Sequence, residues 1–426
     1  MKHTQSMYLI LGLARSGLAA ASFLKGRGID FAVYDDSPEK CAAAAFEKGY
    51  KVFTESDWPS IQTVVVSPGI PFSYPEPHKI IEKARRQGCE IVTDCTLLQR
   101  FAPSKKYIGV TGTNGKSTTT ALITHVLCCT GIDAVMGGNI GVPALELGLD
   151  HDVYVLELSS FQLERSPFFH LDVAVFLNLS EDHLEQHGAM DHYIAAKKRI
   201  FQKAKQKILG IDDSYTPTLH KEFSEAITVS YSSPKAEFFL SHLYLKGGHN
   251  LQNMLVAYEA LRAFGLEHDI VVKGIESFKG LKHRQQYVGT FENVAFINDS
   301  KATSAEATAQ ALKTFDGIYW LLGGKDKSDG IESLSPHFSK IKKAYLFGAA
   351  KDRFAQTLNQ SQVPYALFER LEEALEGAYQ DATLSKSSAT ILLSPACASF
   401  DQYKDFEERG EHFIQHVGHI LNKNKE

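Results

Sequence analysis

No apolar run in the sequence approaches the ~20 residues that a membrane-spanning helix needs. Insertion into a membrane is therefore not expected. Strong charge of either sign is also lacking. Lys and Arg number 45 and Asp and Glu 50, a net charge of −5, which gives no electrostatic reason to expect nucleic acid or an anionic membrane as partner. Cysteine is scarce. The six present (Cys41, Cys89, Cys95, Cys128, Cys129 and Cys397) have no metal-ligand spacing, and they read as free, buried thiols of a reducing cytoplasm. The few residues before the first strand do not form a secretory leader, which again suggests a cytoplasmic location. There is no repeat of solenoid length and no low-complexity stretch.

What remains is an ordinary globular composition, 44% hydrophobic and 22% charged over 426 residues, enough chain for two to four domains. The stretch that organises it is Tyr107-Ile-Gly-Val-Thr-Gly-Thr-Asn-Gly-Lys116-Ser117. Ile108 to Thr111 reads as a strand, and Ala121 to Leu127 as a helix. Between them Gly112, Thr113, Asn114, Gly115, Lys116, Ser117 and Thr118 form a phosphate-binding loop in its proper context. Glycines let backbone N–H groups turn toward phosphate oxygens, and the helix N-terminus adds positive potential. Lys116 suits the β- and γ-phosphates, and Ser117 suits Mg²⁺. Val110 stands where the usual G-x-x-x-x-G-K-S/T pattern has its first glycine.

Before this loop, Met7 to Leu11, Leu18 to Lys25 and Phe31 to Tyr34 read as strand, helix and strand, the opening of a Rossmann-like unit. Ala14 takes the place of the middle glycine of a dinucleotide fingerprint. Arg15 in the turn suggests a phosphate partner instead, and Asp35 an acceptor for a nucleoside hydroxyl or ring N–H. A turn with surface charges is the plainer reading of both. Thr63 to Val66 leads into Ser67-Pro68-Gly69-Ile70-Pro71, at the strand end where ligands of open α/β sheets collect. Arg100 to Lys106 reads as a linker. After the loop, Met136 to Gly141 reads as a glycine-rich turn. The strand at Asp152 to Leu156 delivers Glu157, an acidic residue placed as Mg²⁺ sites require. The strand Val173 to Leu177 leads to Asp182-His183.

Asp191 to Lys207 reads as one helix. At ~100° per residue, Tyr193, Ile194, Ile200, Phe201 and Ala204 fall within about 60° of Lys197. That puts Lys197 at the centre of an apolar stripe, where a lysine must be paired, neutralised, modified or snorkelling to solvent. Past Leu245-Lys-Gly-Gly-His249-Asn250-Leu-Gln-Asn253 a helix runs to about Phe264, and Phe278 to Arg284 reads as a second linker. Beyond it, Val294 to Asn298, Ile318 to Leu322, Lys343 to Phe347 and Thr390 to Leu393 read as strands, with a helix from Ala305. They present Asp299, Gly323-Gly324-Lys325, Gly348 and Ser394-Pro-Ala-Cys397-Ala-Ser399-Phe400 at one edge, as in a doubly wound sheet.

In this order, Thr111-Gly-Thr-Asn-Gly-Lys-Ser, Glu157-Leu-Ser-Ser, Asp182-His183, Ala195-Ala-Lys197, His249-Asn250, His283-Arg284 and Asn298-Asp299-Ser300-Lys301 resemble the motifs of the Mur ligases. These are the ATP-dependent amino-acid-adding enzymes of peptidoglycan precursor synthesis, linked to cell shape and division. Leu321-Leu-Gly-Gly-Lys-Asp-Lys327 and Leu393-Ser-Pro-Ala-Cys-Ala-Ser-Phe-Asp-Gln402 are similar to the D-glutamate-adding branch. The Asp-Asn-Pro-Arg signature of the diaminopimelate- or lysine-adding branches is absent.

The resemblance implies an α/β chain of three domains. They are a Rossmann-like UDP-substrate domain over 1–102, a P-loop ATP domain over 103–283 and a Rossmann-like amino-acid domain over 284–426. It implies a monomer that joins D-glutamate to UDP-N-acetylmuramoyl-L-alanine through an acyl phosphate. Arg15, Ser16, Asp35, Gly69 and Asn139 would contact the UDP-sugar, with Ser159 and Gln162 further along it. Asn250, Arg284 and Asp299 would join the phosphate loop in holding ATP. Thr303, Lys327, Ser399, Phe400 and Phe406 would hold D-glutamate. Two Mg²⁺ ions are implied. Ser117 and Glu157 would hold one, and His183 would hold the other with Lys197 carbamylated by CO₂. Lys116, Glu157, His183 and Lys197 would be the catalytic set. The competing readings are a dehydrogenase, for which the glycine pattern is poor, a P-loop regulator, and another carboxylate–amine ligase such as a folylpolyglutamate synthase.

Overall fold

Short apolar runs, most of them followed by a helix, build three open sheets. The computed structural model describes residues 7–166, 169–325, 330–385 and 387–423. Contacts divide the chain into two units, Met1–Ser241 with Gly248–Phe278, and His242–Gly247 with Lys279–Glu426. Among the described residues no helix is long and apolar enough to cross a membrane.

The first unit holds two sheets. β1 (Met7–Leu11), β2 (Phe31–Tyr34), β3 (Ile61–Val66) and β4 (Glu90–Val92) form a parallel sheet in the order β2-β1-β3-β4. Leu11 pairs with both Tyr34 and Val66, so Gly12, Asp35 and Ser67 all leave the sheet at one edge. The helix Arg15–Gly26 then packs so tightly on the first turn that a Cβ on Gly17 would lie 1.8 Å from the Gly12 carbonyl oxygen. Gly12, at φ +95°, is held by the Ser67 hydroxyl, which donates to its carbonyl at 2.9 Å.

β5 (Lys106–Thr111), β6 (Ala134–Gly138), β7 (Val153–Glu157), β8 (Leu171–Phe176), β9 (Ala204–Gly210) and β10 (Ile227–Val229) form the second parallel sheet, ordered β10-β9-β8-β5-β7-β6. Ile10, Val33 and Val65 of the first sheet share one core cluster with Tyr107, Leu156, Ala174 and Phe176 of the second. Val110 pairs with Glu157 and Thr111 with Phe176. The phosphate loop, Glu157 and the segment after Phe176 therefore emerge together.

Three expectations need correction. The helix at Asp191 stops at Lys198, a 3₁₀ turn covers Arg199–Phe201, and Ala204–Gly210 is a strand. Lys205, Gln206 and Lys207 look helical and solvated because β10 pairs only with Ile208–Gly210, which leaves the charged half of β9 at an open edge. Met136–Gly138 belongs to β6 rather than to a turn. Cys128 and Cys129 are exposed at the end of the helix Lys116–Cys129, not buried, although all six cysteines are free.

The second unit is built on β11 (Gln286–Phe291), β12 (Val294–Asn298), β13 (Ile318–Gly323), β14 (Ile341–Phe347), β15 (Tyr365–Leu367) and β16 (Ala389–Leu393), ordered β11-β12-β16-β13-β14-β15. β11 is antiparallel to β12, and the other pairs are parallel. Side chains alternate between faces. Phe296, Leu321, Tyr345 and Leu393 enter one core, while Ile297, Trp320, Leu346 and Leu392 enter the other. Asn298 and Leu321 both pair with Leu393, so the loops after β12, β13 and β16 share an edge.

The glycine packing is open to test. Gly17→Ala is expected to cost about 1–3 kcal/mol by overpacking against backbone that cannot retreat. Gly69→Ala, with nothing within 4 Å of its added Cβ, should stay within about 0.5 kcal/mol of the parent. Urea denaturation midpoints measure both, and equal midpoints for the two variants would refute the close-approach argument.

Candidate active site

The phosphate loop depends on two backbone positions only glycine fills comfortably. Gly112 has φ +155°, and Gly115, at φ +83°, caps the helix Lys116–Cys129. A Cβ on Gly115 would come within 2.2 Å of Asn253 Oδ1. The loop tip is fixed from outside by Asn178, whose Oδ1 accepts from Asn114 N at 2.9 Å and whose Nδ2 donates to Asn114 O at 3.2 Å. Lys116 Nζ donates to the carbonyls of Gly112 (2.9 Å) and Thr113 (2.7 Å).

The same Gly112 carbonyl accepts from Lys197 Nζ at 2.8 Å. Lys197 is 2% exposed, and its amine lies 4.7 Å from the centre of the Tyr193 ring. Burial, then the nearby Lys116 charge, hold its pKa well below the ordinary lysine value; Asp182 and Glu157 oppose this only in part. Its neighbour Lys198 is more exposed and pairs with Glu222. Tyr193 hydrogen-bonds Thr113 Oγ1 at 3.2 Å, tying the lysine's helix to the loop.

Glu157 is 3% exposed. Asn139 Nδ2 donates to its Oε1 at 2.8 Å, while Oε2 is buried with no hydrogen-bond partner among the described residues. Among those residues no three His, Cys, Asp or Glu side chains form a ready metal cage. Mg²⁺ does not need one, since it binds through one or two carboxylates, waters and phosphates. An orphaned carboxylate oxygen near a phosphate loop fits that requirement, as does Ser117 in the first helical turn. His183 has φ +54°, is partly exposed, and lies 3.5 Å from Asp182 and 3.8 Å from Glu185. Behind it the buried His187 stacks on Phe161 at 5.0 Å and bonds the Ser160 hydroxyl. Asn250, on the helix Gly248–Phe264, accepts from Asn253 at 3.3 Å.

The other residues expected at the substrate lie in three places. Arg15 and Ser16 start the first helix, and Arg15 Nη2 donates to Gly141 O at 2.6 Å. Asp35 accepts from Leu13 N at 2.7 Å and Ser37 N at 3.0 Å. Burial tends to raise its pKa, but those backbone donors and Lys40 outweigh it and hold the pKa below the ordinary value. Gly69 is exposed in the turn after β3. Asn139 is brought to Glu157, as described. Ser159 and Gln162 cap the short helix Ser160–Glu164 reciprocally, and Gln162 also reaches Cys95.

In the second unit, Asp299 is 4% exposed and accepts from Ser394 Oγ at 2.8 Å and Gln285 N at 3.1 Å. Burial drives its pKa up to about 7, against the lowering effect of Ser394, Gln285 and Arg284. Thr303 N donates to Lys301 O at 2.9 Å, and Lys301 Nζ lies 5.5 Å from the Phe406 ring centre. Ser399 is buried, Phe400 is exposed, and Phe406 opens the helix Phe406–Lys423. Lys327 lies outside the described residues, though Lys325 N donates to Ala398 O at 2.8 Å.

Sequence reasoning missed Arg409. It is 0% exposed, and burial lowers its pKa to about 10. Its guanidinium donates to Ser300 Oγ (2.9 Å), Ser300 O (2.8 Å), Cys397 O (3.1 Å) and Gly323 O (3.4 Å). One side chain thus ties the end of β13 to the loops after β12 and β16. Its acceptors are mostly backbone atoms, so no residue type marks the pairing in the sequence. Positive φ at the non-glycine residues His283, Gln285 and Ala396 adds strain of order 1–3 kcal/mol each around the same edge.

Comparison with known proteins gives three matching family models. They are a Mur ligase MurD-like N-terminal domain over residues 6–93, a Mur ligase middle domain over 110–246 and a Mur ligase, glutamate ligase domain over 283–397. The chain is 42% identical over 441 residues to the UDP-N-acetylmuramoylalanine–D-glutamate ligase of Rhizobium meliloti, covering 96% of this chain and 95% of that one. It is also 42% identical to the enzyme of that name from Caulobacter vibrioides, with 95% and 94% covered. Among solved structures, the UDP-N-acetylmuramate–alanine ligase of Thermotoga maritima shares the fold with TM-score 0.58 and 17% identity, over 97% of this chain and 99% of that one.

Asp299 sets a pH dependence. Its folded pKa, about 7, lies above its ordinary 3.8. Protonation therefore stabilises the fold fully below about pH 4, and that stability is lost as pH rises through about 7. Between about pH 5.5 and 8.5 the ligand-free parent should lose more stability than Asp299→Asn, by up to a few kcal/mol. Denaturant midpoints at the two pH values report it, and parallel pH profiles would mean the carboxylate is already ionised in the fold.

Proposed function

This chain belongs to the Mur ligase family, and on that ground we propose that it uses ATP to add D-glutamate to UDP-N-acetylmuramoyl-L-alanine. The observation that carries the choice of amino acid is likeness along nearly the whole chain to D-glutamate ligases. In this reading the domains span 1–102, 103–283 and 284–426, and the enzyme is a monomer in the cytoplasm.

Two anions, the substrate carboxylate and the γ-phosphate of ATP, must react. The loop Gly112–Thr118 offers backbone donors and Lys116 a cation to the phosphates. Bound Mg²⁺ would offset the anionic charge and polarise the phosphoryl oxygens, with Ser117 and the unpartnered Glu157 Oε2 suited to one ion and His183 and a modified Lys197 to the second. The carboxylate oxygen attacks the γ-phosphorus and ADP leaves, giving an acyl phosphate. The neutral amine of D-glutamate then adds to the acyl carbon. Phosphate departs with the C–O electron pair, and loss of the amine proton leaves the amide. Arg15, Ser16, Asp35, Gly69, Asn139, Ser159 and Gln162 are assigned to the UDP-substrate. Asn250, Arg284 and Asp299 are assigned to ATP, and Thr303, Lys327, Ser399, Phe400 and Phe406 to D-glutamate.

Carbamylation of Lys197 has physical support. Its lowered pKa favours the neutral amine that CO₂ requires. Adding CO₂ to the neutral Nζ with loss of one proton turns an uncharged amine into an anion, so a side chain whose protonated form Lys116 repels becomes one that Lys116 attracts. The carbamate oxygens are hard ligands of the kind Mg²⁺ prefers.

Two experiments test the reading. In a phosphate-release assay containing ATP and UDP-N-acetylmuramoyl-L-alanine, D-glutamate should be the productive amino acid, and equal turnover with L-glutamate or L-lysine would overturn the assignment. Lys197→Ala should lose activity by about 100-fold or more, keep its melting temperature within a few degrees, and recover some turnover with an added short carboxylic acid. Lys198→Ala, which loses only a surface ion pair, should stay within about twofold. Comparable damage from the two substitutions would remove the carbamate argument.

A further inference from the structure

The helix Phe406–Lys423 carries His412 and His416 one turn apart, and neither has a part in the proposed reaction. Their Nε2 atoms face each other at 2.9 Å, with ring centres 4.4 Å apart and planes at 87°. Residues four apart on a helix are neighbours, and here the two rings turn their Nε2 atoms toward each other. Here the outer nitrogen of His412 is held as well, since Nδ1 hydrogen-bonds Tyr403 Oη at 2.8 Å. With Nδ1–H donating to the phenol oxygen, His412 Nε2 carries a lone pair directed at His416. This is how an outer partner orients a metal-binding imidazole. Both rings are half-buried and therefore reachable from solvent. Glu372 and Glu376, on the helix Leu371–Leu384, act electrostatically on His416 and supply charge that favours a cation.

We propose that His412 and His416 form a chelating site for a divalent transition-metal ion. Two imidazole nitrogens about 2.0–2.1 Å from one ion are about 2.9 Å apart at a right angle and about 3.3 Å apart at the tetrahedral angle. The observed 2.9 Å matches a cis pair in tetragonal or octahedral coordination, the preference of Cu²⁺ and Ni²⁺ over Zn²⁺. Water completes the shell, in keeping with the absence of a three-residue cage among the described residues. Tyr403 connects the site to the turn at Ser399, whose carbonyl accepts from Tyr403 N at 2.9 Å.

Isothermal titration of the full chain with Ni²⁺, in excess Mg²⁺ to occupy oxygen-rich sites, tests the proposal. One equivalent should bind to the parent. Affinity should fall about tenfold or more in His412→Gln and in His416→Gln, and it should persist in His183→Gln. No binding by the parent, unchanged binding in both helix variants, or loss in His183→Gln instead would overturn it. If either helix variant melts early without metal, Cu²⁺ electron paramagnetic resonance on the parent decides. Superhyperfine coupling to two imidazole nitrogens supports the pair, and coupling to one or none rejects it.

Discussion

The carbonyl oxygen of Gly112 accepts hydrogen bonds from two lysines, Lys116 and Lys197. Two ammonium groups sharing one acceptor repel each other, and a buried ammonium also forgoes hydration. The arrangement persists because the surrounding structure fixes both amines. Register aligns the ends of β5, β7 and β8, and Thr111 Oγ1 ties β5 to the Leu158 carbonyl at 2.7 Å. Tyr193 covers Lys197, and Asn178 pins the loop tip. The relief open to this pair is a change in Lys197's charge, first by deprotonation and, in the proposed chemistry, by carbamylation.

The second unit resolves its buried charges differently. Asp299 shifts toward its protonated form, whereas Arg409 keeps its charge by donating to backbone carbonyls at strand ends. A guanidinium suits this task because its donors are fixed in a plane and reach several acceptors at once. Strand ends provide those acceptors without any acidic side chain.

Much of the fold is legible in the sequence because strands buried on both faces read as short, continuous apolar runs that declare themselves locally. β1, β2 and β12 fall where they were expected, and β5, β7, β8, β13, β14 and β16 within a residue or two. β9 has the local look of a helix because Lys205 and Lys207 give it the polarity of a solvated helix face, and only pairing with Leu171–Phe176 makes it a strand. In the site, the phosphate loop and Glu157 are legible from motif, and Lys197 is buried as its apolar surroundings suggest, although Ile200, Phe201 and Ala204 of its stripe lie beyond the helix. Asn178 and Arg409 are not legible. Each acts on backbone atoms, 64 residues away for Asn178 and up to 109 for Arg409, and no spacing rule reaches that far.

The position of Arg409 bears on how this unit can be re-engineered. The loops that follow β12, β13 and β16 look separable, each a candidate for transplantation from a homologue. They are not modular. The carbonyls of Ser300, of Gly323 at the end of β13 and of Cys397 all accept from the same guanidinium, so a graft that moves any one of them leaves a buried N–H without that acceptor and disturbs the other two. Grafting any of them therefore calls for the three segments and the start of the last helix to be exchanged as one block.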